Sequence, residues 1–261
     1  MPETSMKNAV KQILRIHEGG WARPSYLHLR SKLFAANLEK LAGIHGSDKK
    51  FGHNYIPLYE RFLQPIRKKT RSMLEIGIGG YDNPEHGGES LRIWKYYFPN
   101  AQIFGLDIYE KRLPKIDRVH IFQGSQTDAE VLDSIHKQAG DFDVIIDDGS
   151  HRSPHVIATF ELLFPKLKEG GCYVVEDTQT SYWPQYEGSG LENKDASTTC
   201  NYFKELTDGL NHAEFLIPGR ESSALERTIT GIYFAHNLIV IEKGRNDHPS
   251  NLVEDGKLLD H

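Results

Sequence analysis

Cysteine is scarce: Cys172 and Cys200 are the only two in 261 residues. That excludes a disulfide framework and a cysteine-based zinc site, and it predicts a reduced, cytoplasmic setting. Basic charge is not in surplus either. The chain has 31 Lys and Arg against 36 Asp and Glu, a formal net charge of −5, so no nucleic acid is expected as partner, because phosphate binding comes with a basic excess. The short run Arg67-Lys68-Lys69-Thr70-Arg71 reads as a solvated helix end. No stretch approaches the roughly 18 apolar residues of a membrane helix, which predicts no membrane partner. Internal repeats and low-complexity tracts are also lacking. With 38% hydrophobic residues, the chain suits one larger α/β domain with a short extension.

What is there begins with Phe142-Asp143-Val144-Ile145-Ile146-Asp147-Asp148-Gly149-Ser150-His151. A short apolar, β-branched run bounded by turn formers reads as a buried parallel strand. Its acids and His151 therefore fall at the carboxyl edge of an open sheet, where such folds bind ligands. Tyr173-Val174-Val175-Glu176-Asp177 repeats the pattern, and adjacent strand tips lie about 5 Å apart. Converging carboxylates repel unless a cation sits among them, and a hard divalent ion takes oxygen ligands. Asp148, Glu176 and Asp177 are the expected metal ligands, with His151 close enough to act as a base.

Upstream, Ser72-Met73-Leu74-Glu75-Ile76-Gly77 is the first strand, followed by Gly79-Gly80 and by Gly87-Gly88-Glu89-Ser90 opening a helix. Glycines between strand and helix let a ligand approach the backbone. The loose spacing and Glu75 in the strand favour S-adenosylmethionine over a dinucleotide, whose pyrophosphate needs the tight G-x-G-x-x-G. Asp107, ending the strand Gln102–Asp107, is placed to accept ribose hydroxyls. After the strand Val119–Gln123, the turn with Ser125 and Gln126 would flank the adenine, although Ser125 or Thr127 also serves as a plain helix cap.

Residues 1–50 carry helical spacing and read as an extension that covers the site or joins subunits in a homo-oligomer. The domain is expected over 51–245 and a loose tail over 246–261. Ser153-Pro154 starts a helix, Thr178 to Thr199 reads as a mobile aromatic lid, and Ala213–Ile217 with Ile232–Ile241 as an antiparallel pair closing the sheet edge. These features alone also suit a nicotinamide-dependent oxidoreductase or a non-catalytic cofactor-binding protein.

The ordered set Glu75-Ile-Gly-Ile-Gly-Gly, Gly87-Gly88-Glu-Ser-Leu-Arg-Ile-Trp-Lys, Gly105-Leu-Asp-Ile, Asp147-Asp-Gly-Ser-His and Val175-Glu-Asp-Thr resembles the metal-dependent sugar O-methyltransferases of antibiotic biosynthesis, which include the rhamnosyl O-methyltransferases. The resemblance implies a class I methyltransferase fold, a Rossmann-like, mostly parallel sheet with an antiparallel C-terminal hairpin. It implies S-adenosylmethionine as donor, Mg2+ at Asp148, Glu176 and Asp177, and a glycoside or diol as acceptor, with His151 taking the hydroxyl proton. The loop with Lys49, His53 and Tyr55 then belongs to the cofactor or substrate pocket, and Asp147 braces it. A catechol acceptor stays open, since one metal chelates adjacent hydroxyls of either class.

Overall fold

The central strands are buried on both faces, which the chain achieves by laying helices on either side of one sheet. The computed structural model describes residues 23–192 and 197–259; the first 22 residues of the expected helical extension lie outside them. Among the described residues, four helices precede the sheet: α1 (Arg23–Leu33), α2 (Leu38–His45), the single turn α3 (Asp48–Phe51) and α4 (Ile56–Leu63). The sheet elements are β1 (Ser72–Ile76), α5 (Glu89–Tyr97), β2 (Gln102–Asp107), β3 (Val119–Gln123), α6 (Ala129–Ala139), β4 (Phe142–Asp147), α7 (Ser153–Leu163) and β5 (Leu167–Glu176). They are followed by α8 (Thr199–Asp208), α9 (Ala224–Thr228), β6 (Ile229–Ala235) and β7 (Leu238–Lys243).

The strand order is β3-β2-β1-β4-β5-β7-β6. β1 pairs in parallel with both β2 and β4, while β7 runs antiparallel to β5 and β6. Progress along the sheet reverses between β1 and β4, so the crevice that such folds use for ligands opens at those two tips. The class I methyltransferase expectation is met, including the antiparallel C-terminal pair.

Alternation along the strands builds two apolar layers. Met73, Ile103, Val144 and Val174 face one way, against Trp94, Leu38, Leu41 and Ala42. Leu74, Phe104, Ile145 and Tyr173 face the other, against Phe160, Leu163 and Phe203. Phe160 meets Phe164, Tyr173 and Phe203 ring to ring, and its loss to Ala would cost about 3–5 kcal/mol. Because Leu38 and Leu41 share the sheet's core, α2 is built into the domain at its side.

Three local expectations differ. The closing hairpin lies wholly within residues 229–243, turning at His236-Asn237, where Asn237 takes φ 59°; residues 209–214 form a short 3-10 turn instead of pairing. The expected loose tail contains a small hairpin, β8 (Val253–Glu254) with β9 (Lys257–Leu258), closed by Asp255-Gly256 at φ 48° and 68°, the backbone that a type I′ turn requires. The start of the expected lid is packed: Thr178, Thr180 and Ser181 are buried. Among the described residues, no helix is long and apolar enough to cross a membrane.

Candidate active site

Gly46 ends α2 in the left-handed conformation (φ 74°), and Ser47 caps the turn that follows by accepting from Lys49 N. This sharp corner drives the Lys49 side chain beneath the strand tips, where it is 1% exposed. Its ammonium donates to Glu176 Oε1 at 2.6 Å and Asp148 Oδ2 at 2.8 Å, and lies 3.4 Å from Glu75 Oε1. Tyr59 adds a hydroxyl hydrogen bond to Glu176 Oε1. Three strands, β1, β4 and β5, thus present acids to one lysine.

One ammonium does not balance three carboxylates in a poorly solvated place. Burial, then Asp148, raises Glu176 well above the ordinary carboxylate range, and burial also raises Glu75 and Asp148 against the pull of Lys49. Burial opposes charge on Lys49 as well, but the three acids outweigh it and keep its pKa well above normal. Asp148 is the open member of the cluster, its side chain 23% exposed.

Beside this cluster, Asp148, His151 and Asp177 each offer a ligand atom, all within 4.8 Å of one another. His151 Nε2 lies 3.7 Å from Asp177 Oδ2. Tyr55 donates to Asp177 Oδ1 at 2.6 Å, and His53 Nδ1 is 3.2 Å from the same oxygen. Asp177 and His151 both hold left-handed backbone, φ 53° and 56°, a strained conformation for residues with side chains that persists where surroundings enforce it. Two carboxylates and adjoining water are the donor set a hard divalent cation takes, so the residues fit such an ion. Of the expected ligands, the fold brings Asp148 and Asp177 together around His151, while the carboxylate of Glu176 is engaged by Lys49 and Tyr59.

The cleft between β1 and β4 is walled by Ser47, Lys49, Gly77, Gly79, Ser90 and Asp148, among others, and holds about 240 Å³. Gly77 has φ 77°, and a Cβ there would meet the Asp148 carbonyl at 2.0 Å, so only glycine lets the two strand ends approach. Ser90 donates to Glu75 Oε2 at 2.6 Å. Asp107 accepts from Ile78 N at 3.1 Å and Tyr109 N at 2.9 Å; a carboxylate has about four lone-pair sites, which leaves two for a ligand. A glycine-rich loop, flanked by fixed acids, fits a nucleoside carrying ribose hydroxyls.

The remaining expected cofactor residues lie elsewhere. Gln126 donates to Asp147 and Thr159 and accepts from Ser150 N at 2.7 Å. It therefore braces the turn after β4. Asp147 is 1% exposed, and burial pushes its pKa up to about 7. Ser125 bonds Thr127 within its own turn. Tyr55 and His53 reach Asp177 and line a second cavity with His236.

Comparison with known proteins follows the same lines. Residues 93–208 match the family described as rhamnosyl O-methyltransferase/CmcI. That match takes in less than half of the chain. An 8-demethyl-8-alpha-L-rhamnosyl tetracenomycin-C 2'-O-methyltransferase of Streptomyces olivaceus is 43% identical over 210 residues, 79% of this chain and 55% of the relative. The mycinamicin VI 2''-O-methyltransferase of Micromonospora griseorubida is 44% identical over 201 residues, 76% of this chain and 50% of the relative. Among solved structures, the MycE methyltransferase of the mycinamycin pathway, in complex with Mg and SAH, superposes with a TM-score of 0.78 at 41% identity, covering 84% of this chain and 58% of that one. The chain spans about half the length of the curated relatives it matches.

Within this rhamnosyl O-methyltransferase/CmcI likeness, sequence reasoning placed Lys49 near a pocket but not at the centre of the acids, and it overlooked Tyr59. The one local signal was a lysine between a left-handed glycine with its serine cap and the run of aromatics Phe51, Tyr55 and Tyr59. The partners, 99 and 127 residues away, leave no trace in local spacing.

Proposed function

We propose that this chain is an S-adenosylmethionine- and Mg2+-dependent O-methyltransferase acting on a sugar hydroxyl of a glycosylated small molecule. The observation that carries the reading is the gathering of Asp148, His151 and Asp177 next to a glycine-walled cleft at the reversal point of the sheet. The similarity to sugar O-methyltransferases of antibiotic pathways, and to a structure bound to Mg and SAH, supports the choice of donor, ion and acceptor class. The two cysteines, both buried free thiols, suit a reduced, cytoplasmic setting.

S-adenosylmethionine would supply an electrophilic methyl group, and a divalent ion held by Asp148 and Asp177 would lower the pKa of a bound hydroxyl. Glu75, Asp107, Ser90 and the turn Gly77–Gly79 would hold the donor's polar groups. His151 Nε2 stands where it can accept the hydroxyl proton, and Asp177 Oδ2, 3.7 Å away, stabilises the imidazolium that results. Tyr55 and His53 fix Asp177 from behind. Burial and Asp177 hold the Tyr55 hydroxyl well above its ordinary pKa, so it stays a donor and leaves the proton transfer to His151. Lys49 keeps Glu176 and Asp148 oriented by hydrogen bonding both. Much of the rate then comes from positioning donor and hydroxyl together.

The test is methyl transfer from S-adenosylmethionine to a panel of rhamnosides, with Mg2+ or with a chelator. Asp148→Ala should abolish the Mg2+-dependent transfer while S-adenosylhomocysteine still binds. Full turnover of the wild-type chain in chelator would refute the metal role.

A further inference from the structure

The ammonium of Lys49 has three protons to donate. One goes to Asp148 Oδ2 at 2.8 Å and one to Glu176 Oε1 at 2.6 Å. Asp148 is also one of the three groups, with His151 and Asp177, whose ligand atoms gather within 4.8 Å of one another. A single carboxylate is thus offered to two cations. We propose that Lys49 and the divalent ion compete for Asp148, so that this lysine is a positioning residue that sets how tightly the ion is held; the inference rests on the metal-dependent reading above.

Charge is the first argument. Lys49 is sealed from water, so its charge is little screened, and like charges repel strongly at short range in such surroundings. The hydrogen bond already made to Asp148 Oδ2 also lowers the negative potential that this carboxylate presents to a second cation. Among the three acids around the ammonium, Asp148 is the one open to solvent, its side chain 23% exposed against 2% for Glu176 and 0% for Glu75. It is the acid that the lysine can lose.

The second argument is that the ammonium has another partner in reach. Glu75 Oε1 lies 3.4 Å from it, and among the described residues no donor meets that buried oxygen in hydrogen-bonding geometry. An unsatisfied buried acceptor is costly, so a proton released by Asp148 is taken up there after a small shift. The lysine keeps Glu176, which Tyr59 also holds, and turns from Asp148 to Glu75. Connectivity is the third argument. His53 and Tyr55, which hold Asp177 Oδ1, follow Lys49 by only a few residues. Both carboxylates offered to the ion are therefore bonded from the one segment 49–55, and an ion that draws on Asp148 draws on that segment.

The experiment titrates the full chain with Mg2+ by calorimetry at pH 8, where protons compete least for the acids, with neither donor nor acceptor added. Lys49→Met should bind Mg2+ more tightly than wild type by about tenfold or more, because a like charge leaves a poorly solvated site. A lysine that only props the acids in place predicts the opposite sign, since its loss would scatter the ligands. Lys49→Met gives up stability, so Lys49→Met/Glu176→Gln is titrated beside it; the double variant keeps the net charge of the cluster and retains Asp148, His151 and Asp177. It should still bind Mg2+ several-fold more tightly than wild type, with circular dichroism establishing that each variant titrated is folded. An affinity at or below wild type in either folded variant overturns the competition and leaves the methyltransferase reading intact. Absence of Mg2+ binding in wild type and variants alike overturns the metal-dependent reading, and this inference with it.

Discussion

Replacing Lys49 by Met keeps the length of the side chain and removes its charge from beneath three strand tips. The ammonium is 2.6 Å from Glu176 Oε1, 2.8 Å from Asp148 Oδ2 and 3.4 Å from Glu75 Oε1, and it is sealed from water. Removing one partner of a buried ionic cluster costs about 3–5 kcal/mol, because the remaining charges stay desolvated. Against a total stability of roughly 5–15 kcal/mol, the loss should be plain in urea unfolding. The orphaned acids, already raised by burial, rise further. A carboxylate whose folded pKa exceeds its unfolded value binds a proton that the unfolded chain has released, so Lys49→Met should be more stable near pH 5 than near pH 8. Adding Glu176→Gln to Lys49→Met should return part of the loss, with a coupling of at least about 1 kcal/mol. Additivity of the two substitutions within about 0.5 kcal/mol, or an unchanged urea midpoint in the single variant, would refute the electrostatic argument.

Three other outcomes are expected. His151→Ala should lower kcat by about 10²–10⁴, the range for loss of a general base, with little change in S-adenosylhomocysteine affinity by calorimetry. In Gly77→Ala, a methyl group 2.0 Å from the Asp148 carbonyl at φ 77° should cost at least about 1–3 kcal/mol and weaken S-adenosylhomocysteine binding; an unchanged melting temperature would contradict it. His45 bonds Ser31 and stacks on Tyr96, and burial, then Arg92, lowers its pKa from 6.5 to about 4. The unfolded chain takes up that proton first, so stability is complete above about pH 6.5 and declines toward pH 4, by about 1–2 kcal/mol after discounting for partial exposure. His45→Gln should flatten that part of a urea-midpoint profile.

The sheet was readable because β1, β2 and β4 are buried on both faces and announce themselves as apolar runs; β3, half-buried at the edge, was readable from its β-branched and aromatic residues. Asp148, His151 and Asp177 were readable because they follow strand ends, where the fold class puts its chemistry. The partition among the acids was not. Successive residues of a strand point in opposite directions, and Glu176, the last residue of β5, turns to Lys49 and Tyr59, while Asp177, just past it in left-handed backbone, turns to Tyr55 and His53. That divergence depends on cations and hydroxyls brought from distant segments. The hairpin at Val253–Leu258 was missed for another reason: its strands are two residues each, too short for alternation to show, although Asp255-Gly256 is a turn signal.

The lysine that bonds the strand-tip acids is made 99 residues before one of them and 127 before another. Those carboxylates have no counter-charge within their own strands, and the parallel strands that carry them cannot close dry until the α2–α3 corner, made earlier, docks against their tips. Docking of the early helices and zipping of the β1–β4–β5 tips should therefore be one cooperative event, of the slow, long-range kind.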